Sequence, residues 1–503
     1  MKSVKTFWSD YGALAATCAL VFVLHMVANA NYGFHRDELQ FVADSRHLAA
    51  GFVAYPPVTP VMAFLARVLF GESLVAYRAF SALAHAVIVL LAGLMAKELG
   101  GSSFSRVFSA LLSLASPVLL FSGSVVMYMI FDYLAWAATA YFTLRVLRGS
   151  ARSWIGVGIS VGFGMMTKYS IAFVVLAMIV SLLAFPERKV FATRYFPFAV
   201  AVALAIFLPN LVWLVDNDFV YLDFIRSIHE RDIRWGRTEG FFMDQLSDCI
   251  GFGAVPFAFL GAVFLFARRD VASFRAAVVW VFVTIALFVA MKGRGYYTGA
   301  LYLPLTAAGA VATERFLAAR ASSFRRVALS SALLVLYALN FMVTSALALP
   351  LAPRGSAWFY LIASLNDSFN EQFGWEELAA DVAAIRDSLP EAERSRFGIL
   401  AGNYGEAGAL DFYGRAYGLP KVMCVTNSFY DRGYDESEPE VVVVTGVDRE
   451  WLEAMFESVE VAARARNALG VANEETTFFS EVFLCRKPKF RWSDFWKGNR
   501  RFG

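Results

Sequence analysis

The chain has 503 residues, of which 58% are hydrophobic and only 17% charged. This composition excludes an ordinary soluble globular protein, in which about a quarter of the residues are charged. The formal net charge of +3 says little about binding partners, because a membrane protein distributes its charges between the two sides of the bilayer. No nucleic-acid partner is predicted.

The first apolar run extends over residues 11–30 and is long enough to cross a bilayer. Lys2 and Lys5 precede this run and an Ala-Asn-Ala sequence ends it, a pattern that also fits a cleaved signal peptide. The run is longer than the apolar part of a usual signal peptide. We therefore predict an uncleaved first transmembrane helix.

A polar segment with the sequence GFHRDEL follows this helix directly and contains His35, Arg36, Asp37 and Glu38. A charge inside a membrane costs about 2.5–3.5 kcal/mol on insertion scales, so charges at a membrane exit indicate a solvated loop or a chemical role. The residues that follow have the apolar spacing of an interfacial amphipathic helix. Tyr55 and two prolines then end that element and redirect the chain.

Apolar segments recur up to about residue 348 and predict about eleven transmembrane helices. The predicted spans are 11–30, 74–96, 106–121, 127–147, 154–166, 170–185, 195–215, 251–268, 275–291, 297–317 and 327–348. A short break at Lys168 separates two of them, and such a break is tolerated where it lines a cavity. Short loops rich in Arg and Lys alternate with longer loops, which places residues 31–73, 216–250 and the tail on the outer side.

From residue 350 onward the sequence predicts a soluble α/β domain, so we predict a transmembrane domain over 1–349 and an extracytoplasmic domain over 350–503. Strands are predicted in RFGILAGNY, PKVMCVTN, EVVVVTG and SEVFLCRK, and a helix in WEELAADVAAIRDSL. Gly402, Gly405 and Gly408 indicate a strand–turn–helix passage. Their G-x-x-G-x-x-G spacing favours a packed turn over a dinucleotide-binding loop.

Further charged and aromatic side chains fall on the predicted outer side. They are Arg78, Lys168, Lys292, Arg294, Tyr296 and Tyr297. Snorkelling cations and an interfacial aromatic belt are alternative explanations for these clusters. Positive charge on the outer side runs against the positive-inside bias, however, and the glycines beside Arg294 permit close approach to a ligand. Together with the acidic pair, they indicate a site that binds an anionic headgroup and abstracts a proton.

That chemistry fits glycosyl transfer from a lipid-linked sugar phosphate. A carboxylate has to accept the proton of the acceptor hydroxyl, and we predict Asp37 as this base, with Glu38 orienting it or sharing the role. Fixed cations stabilise the leaving phosphate, and Lys168, Lys292 and Arg294 are predicted to supply them. Direct attack by the acceptor would invert the anomeric centre.

Several stretches resemble the bacterial membrane glycosyltransferases of the GT-C superfamily, especially protein O-mannosyltransferase-like proteins and the aminoarabinose transferase that modifies lipid A. They are GFHRDEL, AYPPVTP, FDYLAW around Asp132, GMMTKYS, PNLVW with DFIRSIHERDIRWGR, and KGRGYYTGALYLPL, within residues 1–350, and GNYGEAGALDFYG in the tail. The resemblance implies a GT-C fold and an undecaprenyl- or polyprenyl-phosphate sugar donor. It fixes neither the sugar nor the acceptor.

The resemblance also implies residue roles, since the essential acidic residue of the first outer loop corresponds to Asp37 and the family's lysine to Lys168. The later loop usually reads GKPYY, but here Arg294 and Gly295 replace the Lys and the Pro, which weakens the case for a rigid loop. The full prediction assigns catalysis to Asp37 and Glu38, donor-phosphate binding to Lys168, Lys292, Arg294 and Arg78, and substrate binding to His35, Arg36, Tyr55, Asp132, Tyr296 and Tyr297.

No metal or other cofactor is predicted. Asp37, Glu38 and His35 are suitable ligands for a divalent cation, but the related enzymes that use monophosphate-linked donors generally need no metal. The four cysteines lack metal-ligand spacing. A disulfide between Cys424 and Cys485 is left open.

A transporter or lipid flippase is the main alternative, because intramembrane charges also mark substrate paths. The two halves of the chain show neither an inverted repeat nor matching broken helices, and the intact acidic pair argues against an inactive relative that acts in assembly. We therefore predict a multi-pass enzyme of the bacterial inner membrane whose active site and C-terminal domain face the periplasm. Its predicted partners are the lipid-linked donor, an extracytoplasmic acceptor and membrane lipids.

Overall fold

The computed structural model describes residues 2–320 and 322–503. The chain divides into two compact units, each built from several separate segments. Unit 1 consists of Met1–Asn29, Arg78–Val215 and Asp232–Leu351, and unit 2 of Ala30–Tyr77, Asp216–Arg231 and Ala352–Gly503. The assignment of residues 1–349 to a transmembrane domain and of 350–503 to an extracytoplasmic domain stays a prediction.

Unit 1 is helical. Its α-helices are Lys2–Ala28, Leu74–Glu98 (from Arg78 onward), Ser103–Ser113, Pro117–Ser122, Tyr128–Leu147, Ser153–Met165, Ile171–Leu183, Tyr195–Asp216, Phe241–Asp244, Val255–Ala267, Ala276–Ala290, Leu303–Arg320 and Ser323–Ala348. A short π-helix, Gln245–Ile250, follows the helix that ends at Asp244.

Five helical segments in the described part of the chain are long and apolar enough to cross a membrane. They are Tyr11–Ala28, Leu74–Glu98, Tyr195–Asp216, Arg269–Ala290 and Ser323–Ala348. A sixth span results if Phe241–Ile250 and Val255–Ala267, which meet at a bend of 95°, are counted as one. The helices on either side of Lys168 are shorter, and the total of eleven spans stays a prediction.

The predicted span over residues 106–121 is two helices rather than one. The first ends at Ser113, and the Ser116 hydroxyl accepts a hydrogen bond from the backbone N–H of Leu119 to begin the second. Pro117 occupies the first turn of this second helix, where its missing N–H costs nothing. The apolar composition predicted a continuous span, whereas a serine cap followed by proline restarts the helix.

Two glycines allow a close approach of the helices Val255–Ala267 and Leu303–Arg320. A Cβ atom on Gly261 would lie 1.9 Å from the carbonyl oxygen of Leu305, and one on Gly309 would lie 2.0 Å from that of Phe257. Small residues at such crossings let helix backbones pack closely in membrane proteins. This contact fixes the helix that follows the Tyr296-Tyr297 turn.

Unit 2 contains a five-stranded mixed sheet. The strands are β1 Phe397–Ala401, β2 Val422–Cys424, β3 Val441–Thr445, β4 Phe456–Arg464 and β5 Glu481–Pro488, in the order β2-β1-β3-β5-β4. β1 pairs in parallel with β2 and β3, whereas β5 pairs antiparallel with β3 and β4. The α-helices of this unit are Arg36–Asp44, Val58–Phe70, most of Val220–Arg234, Ala357–Leu365, Trp375–Ser388, Glu391–Arg394, Tyr404–Tyr413, Arg449–Met455, Glu474–Thr477 and Trp492–Gly498.

The four predicted strands and the predicted helix at Trp375–Ser388 are confirmed, whereas β4 was missed. β4 lies at the edge of the sheet, has the sequence FESVEVAAR and is largely solvent-accessible. Its charged residues hide the apolar run that marks a buried strand. Cys424 on β2 and Cys485 on β5 are both free, because β1 and β3 lie between their strands.

The helix Arg36–Asp44 packs against the helix Tyr404–Tyr413 inside unit 2. A Cβ atom on Gly408 would lie 2.8 Å from the backbone of Leu39, so this glycine permits the close packing. Eight of the nine residues of the first helix are buried, and the prediction of an interfacial amphipathic helix is therefore wrong. The apolar spacing serves contact with protein on more than one face.

Candidate functional site

A capping box places the acidic pair at the start of the helix Arg36–Asp44. The His35 ring accepts a hydrogen bond from the backbone N–H of Asp37 through Nδ1, at 3.1 Å. In return, the backbone N–H of His35 donates to Oε2 of Glu38 at 2.7 Å. Such reciprocal bonds satisfy donors that the first helical turn leaves unpaired. Glu38 is fully buried, so the structure shows its carboxylate as part of this cap.

Asp37 is the one residue of this helix that is not buried. Its Oδ1 accepts a hydrogen bond from the hydroxyl of Tyr404 at 2.7 Å. Burial, together with the Asp37 carboxylate, raises the pKa of Tyr404, so the tyrosine stays protonated and keeps donating. Among the described residues, no donor contacts Oδ2 of Asp37. Tyr404 therefore fixes one of the two carboxylate oxygens of Asp37.

Arg36 lies among carboxylates within unit 2. Its guanidinium pairs with Glu474 and lies 5.3 Å from the centre of the Tyr404 ring, and it also interacts electrostatically with Glu371 and Glu475. Burial and the Glu475 carboxylate raise the pKa of Glu371 to about 7. Arg36 thus holds Tyr404 from one side while Tyr404 bonds Asp37, which gives Arg36 a positioning role in the structure.

Tyr55 has a partner of its own in the same unit. Its hydroxyl donates to Oδ2 of Asp44 at 2.6 Å, and Ser428 donates to the same oxygen at 3.0 Å. Arg432 pairs with the other oxygen of Asp44. Tyr55 is 4% exposed, so the structure shows it as an internal contact, and its substrate role stays a prediction.

In unit 1, the break between two short helices presents Lys168. The backbone N–H of Lys168 bonds the carbonyl of Gly164 at 2.8 Å, which places the lysine just past the helix Ser153–Met165. Its Nζ lies 3.1 Å from the ring centre of Tyr297 and 4.8 Å from that of Tyr128. Two aromatic faces thus surround the ammonium group, an arrangement that attracts cations.

Asp132 is the acidic neighbour of Lys168. The carboxylate interacts electrostatically with the lysine and is almost fully buried. Its two oxygens accept hydrogen bonds from Nε1 of Trp136 and from the hydroxyl of Ser170, both at 3.0 Å. These bonds orient the carboxylate, so Asp132 has a positioning role in this cluster.

Arg294 is held firmly in the later loop. Its Nε donates to Oδ2 of Asp232 at 2.7 Å, and a second nitrogen pairs with the other oxygen of that carboxylate. Nη1 of Arg294 donates to the hydroxyl of Tyr296 at 2.9 Å. Arg294 also interacts electrostatically with Lys168, and the rings of Tyr296 and Tyr297 lie 4.8 Å apart. Five of the predicted residues, Asp132, Lys168, Arg294, Tyr296 and Tyr297, therefore form one cluster in unit 1.

Neighbouring side chains hold the backbone of the loop around Gly295, where the sequence left the rigidity of the loop in question. A Cβ atom on Gly295 would lie 2.4 Å from Oδ2 and 2.5 Å from Cβ of Asp244, so a larger residue would displace the Asp244 side chain. Gln245 donates to the carbonyl of Gly295 at 3.1 Å, and Tyr133 donates to that of Tyr296 at 2.5 Å. Side chains from two other helical segments thereby fix the loop backbone at Gly295, the position for which the resemblance implies a proline.

The structure does not place Lys292 and Arg78 in this cluster. Lys292 is exposed and has a φ of 47° in the turn after the helix Ala276–Ala290. Arg78 is fully buried, with Nη1 at 3.5 Å from the carbonyl oxygen of Asn29. The donor-phosphate roles assigned to these two residues stay predictions.

Three residues that contact the candidate site residues were not predicted from the sequence. Tyr404 and Asp232 lie in the stretches GNYGEAGALDFYG and DFIRSIHERDIRWGR, so the resemblance covered them without indicating what they contact. Ser170 lies two residues after Lys168 and had no distinguishing signal. Among the described residues, no group of three or more His, Cys, Asp or Glu side chains is arranged to hold a metal ion, and metal independence stays a prediction.

Comparisons with known proteins agree with this architecture. Residues 54–213 match the family described as dolichyl-phosphate-mannose-protein mannosyltransferase. The lipid A galacturonosyltransferase RgtD of Rhizobium johnstonii is 27% identical over 288 residues, which make up 54% of this chain and 59% of that protein. The chain thus spans about three fifths of the length of this curated relative.

Two crystal structures of ArnT from Cupriavidus metallidurans show the same fold. The structure bound to undecaprenyl phosphate matches with a TM-score of 0.55 and 15% identity, covering 94% of this chain and 98% of that one. The apo structure matches with a TM-score of 0.55 and 16% identity, covering 94% and 97%. The predicted resemblance to GT-C glycosyltransferases is confirmed, as is the predicted fold of a multi-pass helical membrane protein with a small C-terminal α/β part.

The buried carboxyl groups of unit 2 predict a pH-dependent stability. Burial raises the pKa of Glu371 to about 7 and that of Glu406 to about 8. The folded chain therefore keeps protons that the unfolded chain releases above its ordinary glutamate pKa, and stability falls as pH rises from about 4.5 to about 8. We expect the melting temperature of the full chain in detergent to fall over this range, followed by intrinsic tryptophan fluorescence.

Glu406→Gln should flatten the pH dependence of the melting temperature, because glutamine does not titrate in this range. Its amide oxygen can still accept the two backbone hydrogen bonds that Glu406 accepts. The exposed Glu391→Gln serves as the matched control. An unchanged slope in Glu406→Gln would contradict the assignment.

Proposed function

We propose that this protein is an integral membrane glycosyltransferase that moves a sugar from a polyprenyl-phosphate-linked donor to an acceptor hydroxyl. The observation that carries the proposal is Asp37, which lies at the capped start of its helix and whose half-buried carboxylate accepts a hydrogen bond from Tyr404. The fold shared with ArnT, solved with undecaprenyl phosphate, supports a polyprenyl donor. The match to a lipid A galacturonosyltransferase supports a lipid acceptor, with glycans and proteins as the other classes.

In the proposed reaction, Oδ2 of Asp37 accepts the proton of the acceptor hydroxyl. The acceptor oxygen forms a bond to the anomeric carbon, and the bond from this carbon to the phosphate oxygen breaks. The electron pair leaves with the polyprenyl phosphate, and a single displacement inverts the anomeric centre. Tyr404 holds the carboxylate in one orientation during this transfer, since its hydroxyl bonds Oδ1.

Lys168 and Arg294 are the proposed ligands of the donor phosphate. Their positive charges lie in one cluster of unit 1, where a fixed cation stabilises the charge that develops on the leaving group. Lys168 is the stronger candidate because aromatic rings surround its ammonium group, whereas Asp232 engages Arg294 through two bonds. Lys292 and Arg78 are proposed to assist, and Tyr296 and Tyr297 to contact the sugar phosphate.

A transporter is the less favoured reading. The family match and the curated relative are both sugar transferases, and the fixed carboxylate at Asp37 gives a chemical reason for transfer. We further propose a location in the bacterial inner membrane, with the acidic loop, Lys168 and residues 350–503 on the periplasmic side.

Asp37→Asn should lower transfer by at least about a hundredfold, since a general base contributes about 10²- to 10⁴-fold. The product is first identified by comparing the glycolipids of wild-type and deletion strains, and each variant is then assayed for it. Glu38→Gln separates the two roles considered for Glu38, because its amide oxygen still accepts the bond from His35: a cap predicts little loss and a shared base a large one. The exposed Glu391→Gln is the control for loss of a carboxylate. An Asp37→Asn protein with native melting and near-normal turnover would remove Asp37 from the role of base.

Lys168→Met should weaken binding of the polyprenyl-phosphate sugar or lower kcat, because the ammonium group no longer offsets the phosphate charge. Arg294→Met should have a smaller effect of the same kind. Lys189→Met, at an exposed lysine after the helix Ile171–Leu183, controls for loss of charge alone. Normal donor binding and turnover in both variants would leave Lys168 and Arg294 as interfacial anchors.

A cysteine introduced at Gly293 should react with a membrane-impermeant reagent from the periplasmic side only. The physical reason is the alternation of basic and non-basic loops along the chain. Ser150→Cys, in a loop between two arginines, is predicted to react only after the membrane is opened. Labelling of position 293 from the cytoplasm alone would overturn the orientation and with it the proposed periplasmic chemistry.

A further inference from the structure

The helix Ala357–Leu365 of unit 2 is apolar on two faces, one buried and one exposed. Its sequence AWFYLIASL contains no charged residue. Phe359, Ile362 and Ala363 form a buried face, and the ring of Phe359 contacts those of Tyr32 and Phe373, with centres 5.5 Å apart in each case. This face therefore belongs to the core of unit 2.

The second face is exposed. Trp358, Leu361 and Leu365 recur at spacings of three and four residues, which places them on one side of the helix. Their exposed fractions are 37%, 53% and 66%. A helix on a water-facing surface normally carries charged or polar residues on its outer side. Three large apolar side chains in that place indicate a second apolar partner.

Other bonds fix the helix against the unit, so the exposed face has a defined direction. The Ser356 hydroxyl accepts a bond from the backbone N–H of Phe359 and begins the helix. The Tyr360 hydroxyl donates to the carbonyl oxygen of Leu469 at 3.1 Å. The outward stripe is thus presented by a capped and anchored element.

We propose that Trp358, Leu361 and Leu365 insert into the headgroup–acyl boundary of the lipid bilayer and attach unit 2 to the membrane surface. The nine residues span about 14 Å at 1.5 Å per residue, too short to cross a bilayer but suited to lie in its surface. Trp and Tyr are enriched at this boundary. Only residues 349–356 separate the helix from Ser323–Ala348, which is long and apolar enough to span the membrane, so the chain itself brings it to lipid.

Site-directed spin labelling of the full chain in lipid nanodiscs tests this surface without any assay of activity. Cys18→Ala removes the one native cysteine that is not buried, and Leu361→Cys or Leu365→Cys introduces the label. Ala384→Cys on the helix Trp375–Ser388 is the matched control, since it is exposed on a helix whose outer residues are largely polar. Melting curves confirm that each labelled protein is folded.

Accessibility to oxygen, which concentrates in lipid, is compared with accessibility to a water-soluble nickel chelate. The ratio of the two should be several-fold higher at positions 361 and 365 than at 384. Nickel accessibility at 361 and 365 equal to that at 384 would place the stripe in water and overturn the proposal. Low accessibility to both reagents would mean that protein covers the stripe, as in a second copy of the chain, and would overturn it as well.

Discussion

Removing a charged side chain from water costs several kcal/mol unless hydrogen bonds and an opposite charge replace the lost hydration. This constraint governs the start of the helix Arg36–Asp44, where consecutive charged residues enter the interior of unit 2. Glu38 accepts a hydrogen bond from a backbone N–H in the helix cap, and Arg36 pairs with the Glu474 carboxylate. Asp37 alone stays partly exposed. Of the two adjacent carboxylates, only that of Asp37 is therefore partly open to solvent.

The cations of unit 1 are compensated in two different ways. Arg294 forms a bidentate pair with Asp232, a geometry that uses much of the guanidinium's donor capacity. Lys168 instead lies against two aromatic rings, where a cation–π contact contributes only about 0.5–2 kcal/mol. It also interacts with the Asp132 carboxylate, whose two oxygens already accept bonds from Trp136 and Ser170. Arg294 is therefore tied to one acidic partner through two bonds, whereas several separate contacts surround Lys168.

Close backbone packing complements this charge compensation. Gly408 lets the helix Tyr404–Tyr413 approach Leu39, and Tyr404 at the start of that helix then reaches Asp37. Gly295 similarly lets the later loop pass Asp244. In both places a side chain beyond hydrogen would force apart the segments that carry functional groups. Backbone approach and side-chain chemistry are thus linked within each unit.

The sequence by itself determined the membrane class of the chain, four of the five strands, the break at Lys168 and the candidate acid and cations, because apolar runs, residue periods and charged interruptions are local features. Only the tertiary structure decided what these groups contact. Tyr404 is 367 residues from Asp37, and Arg294 is 62 residues from Asp232. Such pairings depend on how helices pack, and no local pattern encodes them. For the same reason the helix Arg36–Asp44, amphipathic by spacing, is buried: it packs against the helix Tyr404–Tyr413, whose Tyr404 is 367 residues from Asp37.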